Sequence, residues 1–255
     1  MSIWLEEGAG ILNHNLIYLP EVGSTNAWAK ENLSRFADAG AVYSTHQTAG
    51  RGRLGRTWTD APGQGLYYSV VIKTPLAQPG TLPLYASLAV ADALKQRYNV
   101  DCQIKWPNDL LLNGKKIVGI LCEIAPDGHS IVCGIGFNLA QPQSYFTAQN
   151  LPHGTSLTLQ GVAVDPDNDP AWLAAYLTEV GFGTAMADYA AHGFTACRDA
   201  YKAVCVNLQR AVTYDGGQGI ARDVDEDGRL VVHDDTGDVK VFTGEVSVKG
   251  IYGKV

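Results

Sequence analysis

Gly50-Arg51-Gly52-Arg53-Leu54-Gly55-Arg56-Thr57-Trp58 carries three arginines and three glycines in its first seven residues. Arginines this dense repel one another and do not pack without an anion. The glycines let the backbone approach a ligand closely and leave the loop mobile when it is empty. Guanidinium groups are planar, bidentate donors suited to phosphate or carboxylate. The stretch therefore reads as a loop that closes over an anion. Two plainer readings stand beside it, a solvated basic loop and an RGG-like contact to nucleic acid. The run Gly50-x-x-x-x-Gly55-Arg56-Thr57 nearly spells a P-loop, but Arg56 stands where lysine is needed. Turn-rich TWTDAPGQG follows it, in place of the helix whose N-terminal amides a P-loop uses.

Outward from this loop, 41–47 (AVYSTHQ) and 66–73 (LYYSVVIK) read as strands. A helix opens at Ser24-Thr25-Asn26 and runs over 24–38, with Trp28 and Leu33 towards a core. Apolar residues recur at helical spacing over 85–98, and strand-like runs follow at 102–106, 116–124 and 130–138. The pattern predicts a second long helix over 171–191, with Asp169 as N-cap and Pro170 at the first helical position. After residue 207 only short β-rich runs remain, separated by the turns YDGGQG, DEDG and DDTGD. That texture predicts a small all-β barrel. At about 48 residues its core is marginal and leans on the preceding domain. The expected organisation is an α/β domain over 1–207 followed by a small β domain over 208–255.

The 255 residues contain 19 Lys plus Arg against 26 Asp plus Glu, a net charge of −7, with 46% hydrophobic residues. This is globular composition, and its acidic balance disfavours non-specific binding to nucleic acid or to an anionic membrane. The N-terminal stretch lacks a basic region followed by a long apolar run, so no signal peptide is expected. No stretch reaches the roughly 18 apolar residues of a membrane span. Cys102, Cys122, Cys133, Cys197 and Cys205 are odd in number, lack CxxC spacing and mostly sit in apolar runs. They read as free thiols in a reducing cytoplasm.

Four further segments bear on chemistry. In 105–109 (KWPND), Pro107 ends a short strand and Asn108-Asp109 make a turn. Lys105 is left at a strand end, either as a point charge for a carboxylate and a phosphate together or simply facing water. Ser24, Thr25 and Asn26, with Gln47, suit a neutral headgroup bearing both N–H and C=O, although an N-cap and an exposed glutamine explain them as simply. Gly134-Ile135-Gly136-Phe137-Asn138 ends a strand; its glycines could mark close backbone approach, and Asn138 could read a base edge or cap a turn. Asp223-x-Asp225-x-Asp227-Gly228 imitates an EF-hand opening, but Asp234 occupies the twelfth position and the flanks are β-rich, so a hairpin turn is expected and no protein-bound metal. No HxxxH, HExxH or GxSxG pattern supplies a metal site or covalent nucleophile, which favours catalysis by positioning and electrostatics.

In this order, these segments resemble biotin–protein ligase, the biotin–[acetyl-CoA-carboxylase] ligase family. The likeness runs through Ser24-Thr25-Asn26, Gln47-Thr48-Ala49-Gly50-Arg51-Gly52-Arg53, Gly55-Arg56-x-Trp58 and Lys105-Trp106-Pro107-Asn108-Asp109. It continues through Lys116-Ile117-Val118-Gly119-Ile120-Leu121-Cys122-Glu123, Gly134-x-Gly136-x-Asn138 and Gly244-Glu245-Val246-Ser247. The resemblance implies an α+β catalytic domain, a mixed sheet flanked by helices and related to lipoate ligases, followed by a small SH3-like β-barrel. It implies adenylation of biotin by ATP with Mg²⁺, then transfer to a lysine of the biotin carboxyl carrier domain of acetyl-CoA carboxylase or a related enzyme. By the same resemblance, Ser24, Thr25, Asn26 and Gln47 hold the ureido ring, and Arg51, Gly52, Arg53 and Lys105 complete the biotin site. Arg51, Arg53, Arg56, Trp58, Lys105 and Asn138 meet ATP, with Lys105 and Arg51 as the catalytic pair.

Two departures refine the expectation. Ser24 stands within the first 30 residues, which leaves no room for the N-terminal DNA-binding domain of many bacterial members, so a ligase without repressor activity is expected. Lys249 stands where an arginine often follows the GE(V/I)S motif, which puts a nucleotide contact from the small domain in doubt. The stretch 141–155 is expected to form the loop over the adenine, with no role given to its individual residues. A cytoplasmic enzyme, monomer or homodimer, is expected. The rivals are a lipoate ligase or octanoyl transferase on the related fold, and a nucleic-acid-binding module built on the arginine loop.

Overall fold

The computed structural model describes residues 15–242, 244 and 246–251. Glu245 of the GEVS motif and the first 14 residues lie outside the described residues. The chain runs β1 (Leu16–Tyr18), α1 (Thr25–Glu31), β2 (Gly40–Ser44), β3 (Gly65–Ile72), α2 (Leu82–Tyr98), β4 (Gln103–Lys105), β5 (Asp109–Leu112), β6 (Lys115–Ile124) and β7 (Ile131–Asn138). Then come α3 (Gln143–Ala148), α4 (Asp169–Tyr176), α5 (Ala187–His192) and α6 (Arg198–Val204). Strands β8 (Ala211–Tyr214), β9 (Gly217–Val224), β10 (Leu230–Asp234), β11 (Gly237–Val241) and β12 (Ser247–Val248) complete it.

The first seven strands form one sheet in the order β1-β2-β3-β7-β6-β5-β4. β1 pairs with β2 in parallel and the other pairs are antiparallel, so the sheet is mixed. Side chains alternate between the faces of a strand. Leu66, Tyr68, Val70 and Ile72 of β3, with Cys133, Ile135 and Phe137 of β7, enter the main core beneath α2. The opposite face carries Val71 and Val132, which pack with Ala29 and Phe36 around α1. Further along that face come Ser69, Gly134 and Gly136, where the functional cavity lies. Both faces are covered, which is why β3 is buried along its whole length.

The expected helix over 171–191 is two helices. α4 runs into a π turn at Leu177–Gly181, the chain breaks at Gly183, and α5 begins at Ala187. A Cβ on Gly183 would collide with the Glu179 carbonyl oxygen, so only glycine permits the break. Helical spacing continues on both sides, which hid it. Asp169 is not the N-cap either; Asn168 precedes the helix and Asp169 is its first residue. Its buried carboxylate accepts from Arg97 Nε at 2.7 Å, from the Tyr98 hydroxyl at 2.7 Å and from the Asp165 N–H at 2.8 Å, tying α4 to the end of α2.

The C-terminal strands form a second, antiparallel sheet in the order β11-β10-β9-β8-β12, the small SH3-like domain. Its DEDG segment is the β9–β10 hairpin turn, with Asp225 accepting from Arg229 and Lys240. Val212, Val224, Leu230 and Val232 belong to the same buried cluster as the larger sheet. Trp106 Nε1 donates to the Gly228 carbonyl at 2.9 Å, and Arg198 donates to the Val224 carbonyl and pairs with Asp223. The small sheet thus borrows its core and several hydrogen bonds from the larger domain.

Replacing Asp169 by Ala strips the acceptor from a charge-assisted cluster and lowers stability by about 2–4 kcal/mol. Urea unfolding with an unchanged slope measures this, and Asp169→Asn recovers part of it.

Candidate active site

A cavity of about 390 Å³ lies on the α1 face of the sheet, and all eleven residues singled out from the sequence line it: Ser24, Thr25, Asn26, Gln47, Arg51, Gly52, Arg53, Arg56, Trp58, Lys105 and Asn138. They come from the first turn of α1, the 47–58 loop, the end of β4 and the end of β7.

The polar end is built around α1. Ser24 is its N-cap, the hydroxyl accepting from the Ala27 N–H at 3.4 Å. Capping and lining the cavity are therefore not alternatives for this residue. Gln47 is buried rather than exposed; its Oε1 accepts from the Thr25 N–H at 2.9 Å and hydroxyl at 3.2 Å. Asn26 donates from Nδ2 to Glu123 Oε2 at 2.8 Å and to the Leu121 carbonyl at 3.2 Å, while Oδ1 accepts from the Ser69 hydroxyl at 2.7 Å. Burial acts to raise the pKa of Glu123, but hydrogen bonds from Lys30 and Asn26 and the charges of Lys30 and Arg51 outweigh it and hold the carboxyl below its ordinary value.

The glycines of the GxGxN motif explain how side chains lie so close to the sheet. A Cβ on Gly134 would overlap Asn26 Oδ1, and one on Gly136 would stand 2.6 Å from the Trp58 ring. Gly119 on β6 makes the same room, its Cβ position 2.5 Å from that ring. Trp58 therefore lies over bare backbone, with Lys116 Nζ 5.4 Å from its ring centroid.

The arginine loop is a closed-necked excursion. Trp58 N–H donates to the Gly50 carbonyl at 3.1 Å and Gly52 N–H to the Arg56 carbonyl at 2.7 Å. Leu54 and Gly55 turn the tip through positive φ, 56° and 72°. Arg53 donates to Asn108 Oδ1 and, at 3.3 Å, to the Gly244 carbonyl, joining the loop to KWPND and to the small domain. Arg51 is half-exposed, 3.9 Å from Glu123.

Lys105 ends β4 and is 7% exposed, so it does not face water. The Trp106–Pro107 peptide is cis, and the turn lies at 106–108 between β4 and β5: Asn108 is in it as expected, whereas Asp109 is already the first residue of β5. Short strands on both sides of a proline are hard to see in a pattern. Lys116 was missed as a site residue although it lies in the quoted motif. It lines the cavity and pairs with Asp109 at 2.7 Å. Asn138 Oδ1 accepts from Gln141 Nε2 at 3.3 Å. In 141–155, the Tyr145 hydroxyl hydrogen-bonds Thr59, and the 153–155 backbone pairs with Lys116. Only tertiary pairing brings these residues to the wall. Among the described residues the small domain reaches the cavity through Gly244 and Val246 and not through Lys249.

Among the described residues, Arg51, Arg53, Arg56, Lys105 and Lys116 line the cavity against the single carboxylate of Asp109. The chain as a whole carries −7. Such charge segregation suits a ligand with several negative groups, held at one end by neutral donors and acceptors.

Residues 18–138 match the biotin/lipoate A/B protein ligase family, and residues 211–249 match the biotin protein ligase C terminal domain. The biotin–[acetyl-CoA-carboxylase] ligase of Mycobacterium tuberculosis is 34% identical over 257 residues, covering 94% of this chain and 91% of the relative. The chain belongs to the biotin protein ligase family. The bifunctional ligase/repressor BirA of Bacillus subtilis is 31% identical over 248 residues, covering 93% of this chain and 75% of that protein. The structure of the biotin protein ligase from Aquifex aeolicus in complex with biotin and ATP superposes with a TM-score of 0.74 at 26% identity, covering 92% and 98% of the two chains.

Gly136→Ala drives the Trp58 ring off the sheet while leaving the core face untouched. Tryptophan emission should shift to the red relative to the parent, and the shift should vanish in a Trp58→Phe background. An unchanged spectrum would contradict the close approach.

Proposed function

We propose that the chain joins biotin to ATP, giving biotinyl-5′-AMP and pyrophosphate, and passes the biotinyl group to a lysine of a biotin carboxyl carrier domain of acetyl-CoA carboxylase or a related enzyme. The observation that carries this is one cavity combining a polar wall of Ser24, Thr25, Asn26 and Gln47 with a ring of five cations. Biotin's ureido group has two N–H donors and one acceptor, which hydroxyl and amide side chains can match. Its carboxylate and the α-phosphate repel each other on approach. Lys105 neutralises both as the carboxylate oxygen attacks phosphorus and pyrophosphate departs, with Arg51 assisting. Mg²⁺ carried in with ATP would supply further neutralisation of the phosphate charge.

Arg51, Gly52 and Arg53 then cover the mixed anhydride and keep water from it, while Arg53, Arg56, Trp58 and Asn138 hold the nucleotide side. The attacking lysine amine forms an amide with the biotinyl carbonyl and AMP leaves. The ligand complex of the Aquifex aeolicus relative and the name of the Mycobacterium tuberculosis relative support this assignment. In the same proposal the catalytic unit spans 1–207 and the small unit 208–255. The enzyme works in the cytoplasm as a monomer or homodimer, and its net charge of −7 favours a ligase that binds neither operator DNA nor membrane.

Biotin-dependent exchange of labelled pyrophosphate into ATP tests the assignment; exchange driven by lipoate and not by biotin would reverse it. Because Lys105 is buried, methionine is the better probe than alanine, since it keeps the apolar stem. Lys105→Met should lower exchange by about 100-fold or more at unchanged stability. Arg51→Gly should release free biotinyl-5′-AMP, detected in a filtrate by chromatography, and unchanged retention would contradict the lid.

A further inference from the structure

We infer that Glu123, kept ionised by Lys30, is the positioning residue that holds the Asn26 amide in one orientation at the cavity's biotin end, an inference that rests on the function proposed above. Asn26 and Gln47 carry amides whose oxygen and nitrogen have nearly the same shape, so each could present either group to a ligand. The structure removes that choice from one end. Asn26 Nδ2 faces two groups that can only accept, the Glu123 carboxylate at 2.8 Å and the Leu121 carbonyl at 3.2 Å. Flipping the amide would set oxygen against both. Asn26 Oδ1 is therefore turned to the Ser69 hydroxyl at 2.7 Å. Ser69 Oγ lies 2.8 Å from the Thr25 hydroxyl, and the Thr25 N–H independently holds Gln47 Oε1 at 2.9 Å. With Gln47 Oε1 occupied, its Nε2 is turned towards Gly50 at the root of the arginine loop. Glu123 and the Leu121 carbonyl thus fix the Asn26 amide, while the Thr25 N–H fixes the Gln47 amide.

Protonating Glu123 removes the shorter of the two acceptor contacts that hold Asn26 Nδ2 and sets a donor against it. Two titratable groups face the Glu123 carboxylate, Lys30 from α1 at 2.8 Å and Arg51 from the loop at 3.9 Å; the neighbouring Cys122 points to the other face of β6, into the main core. Arg51 is half-exposed and belongs to the loop proposed to close over the adenylate, whereas Lys30 is four-fifths buried and anchored on a helix. Lys30 is therefore the permanent counter-ion. It leaves Arg51 able to turn towards a phosphate without stranding a half-buried carboxylate. Without Lys30, burial dominates and the Glu123 carboxyl titrates at higher pH. The sign follows: parent binding stays flat into the acid range, whereas a variant lacking Lys30 loses binding as pH falls from neutrality.

Calorimetric titration of biotin into the full chain, from pH 7.5 to 5.0, tests this with Lys30→Met, Glu123→Gln and the double variant. Glu123→Gln should weaken binding about tenfold or more at every pH, the loss expected for one hydrogen bond to a charged group. Lys30→Met should bind near parent strength at pH 7.5 and lose about tenfold towards pH 5.0. The double variant should match Glu123→Gln and show no acid limb. Parent-like affinity in Glu123→Gln, or a flat profile in Lys30→Met, overturns the proposal. A purely structural role would lower urea midpoints without producing an acid limb confined to Lys30→Met. Should the parent fail to bind biotin, the functional assignment fails, and the positioning claim is decided by nuclear magnetic resonance. The Asn26 side-chain amide protons should then stay resolved to lower pH in the parent than in Lys30→Met, and equal pH responses refute it.

Discussion

Everything at this site depends on three missing β-carbons. Gly119, Gly134 and Gly136 bare one face of adjacent antiparallel strands. Where any other residue would project a side chain, Asn26 and Trp58 lie directly on the sheet. The other face of the same strands has no such gap; Ile120, Cys133, Ile135 and Phe137 fill it into the main core. A strand's alternation thus divides labour between rigidity and recognition. The cavity floor is backbone, which cannot rotate away, and it rests on close-packed side chains beneath.

Electrostatics follows from that floor. An acidic chain gathers five cations around one cavity, and their mutual repulsion is tolerable only because neighbouring groups hold them. Asp109 holds Lys116, and Asn108 with the Gly244 carbonyl holds Arg53. Arg51, nearer the solvent, has among the described residues a 3.9 Å side-chain ion pair with Glu123. The cations are graded from anchored to movable, which suits a site whose floor must stay fixed while its cover opens and closes.

The small sheet enters this picture as a brace. Trp106 stands beside Lys105 in KWPND and reaches the β9–β10 hairpin through its indole N–H, while Arg53 reaches Gly244. The strand end bearing the buried lysine is therefore held from the far domain as well as from its own sheet. A domain with little core of its own gains stability from the contact and stiffens the site in return.

Much of this was legible beforehand. The density of Gly and Arg over 50–56, the KWPND run, and the polar triplet before α1 are local features, and local chemistry is written in adjacent residues. The alternating strands and the change of texture after residue 207 are equally local. The glycine pattern at 134 and 136 signalled close approach but not of what, because Trp58 and Asn26 come from other elements. The break at Gly183, the partner of Asp169 and the pairing of Lys116 with Asp109 were hidden for the same reason. Composition and spacing determine which groups a chain can offer and which segments can be strand, helix or loop. Which charge neutralises which, and which amide faces which way, depends on distances between residues as far apart as 26 and 123, and those distances exist only once the sheet has closed its register.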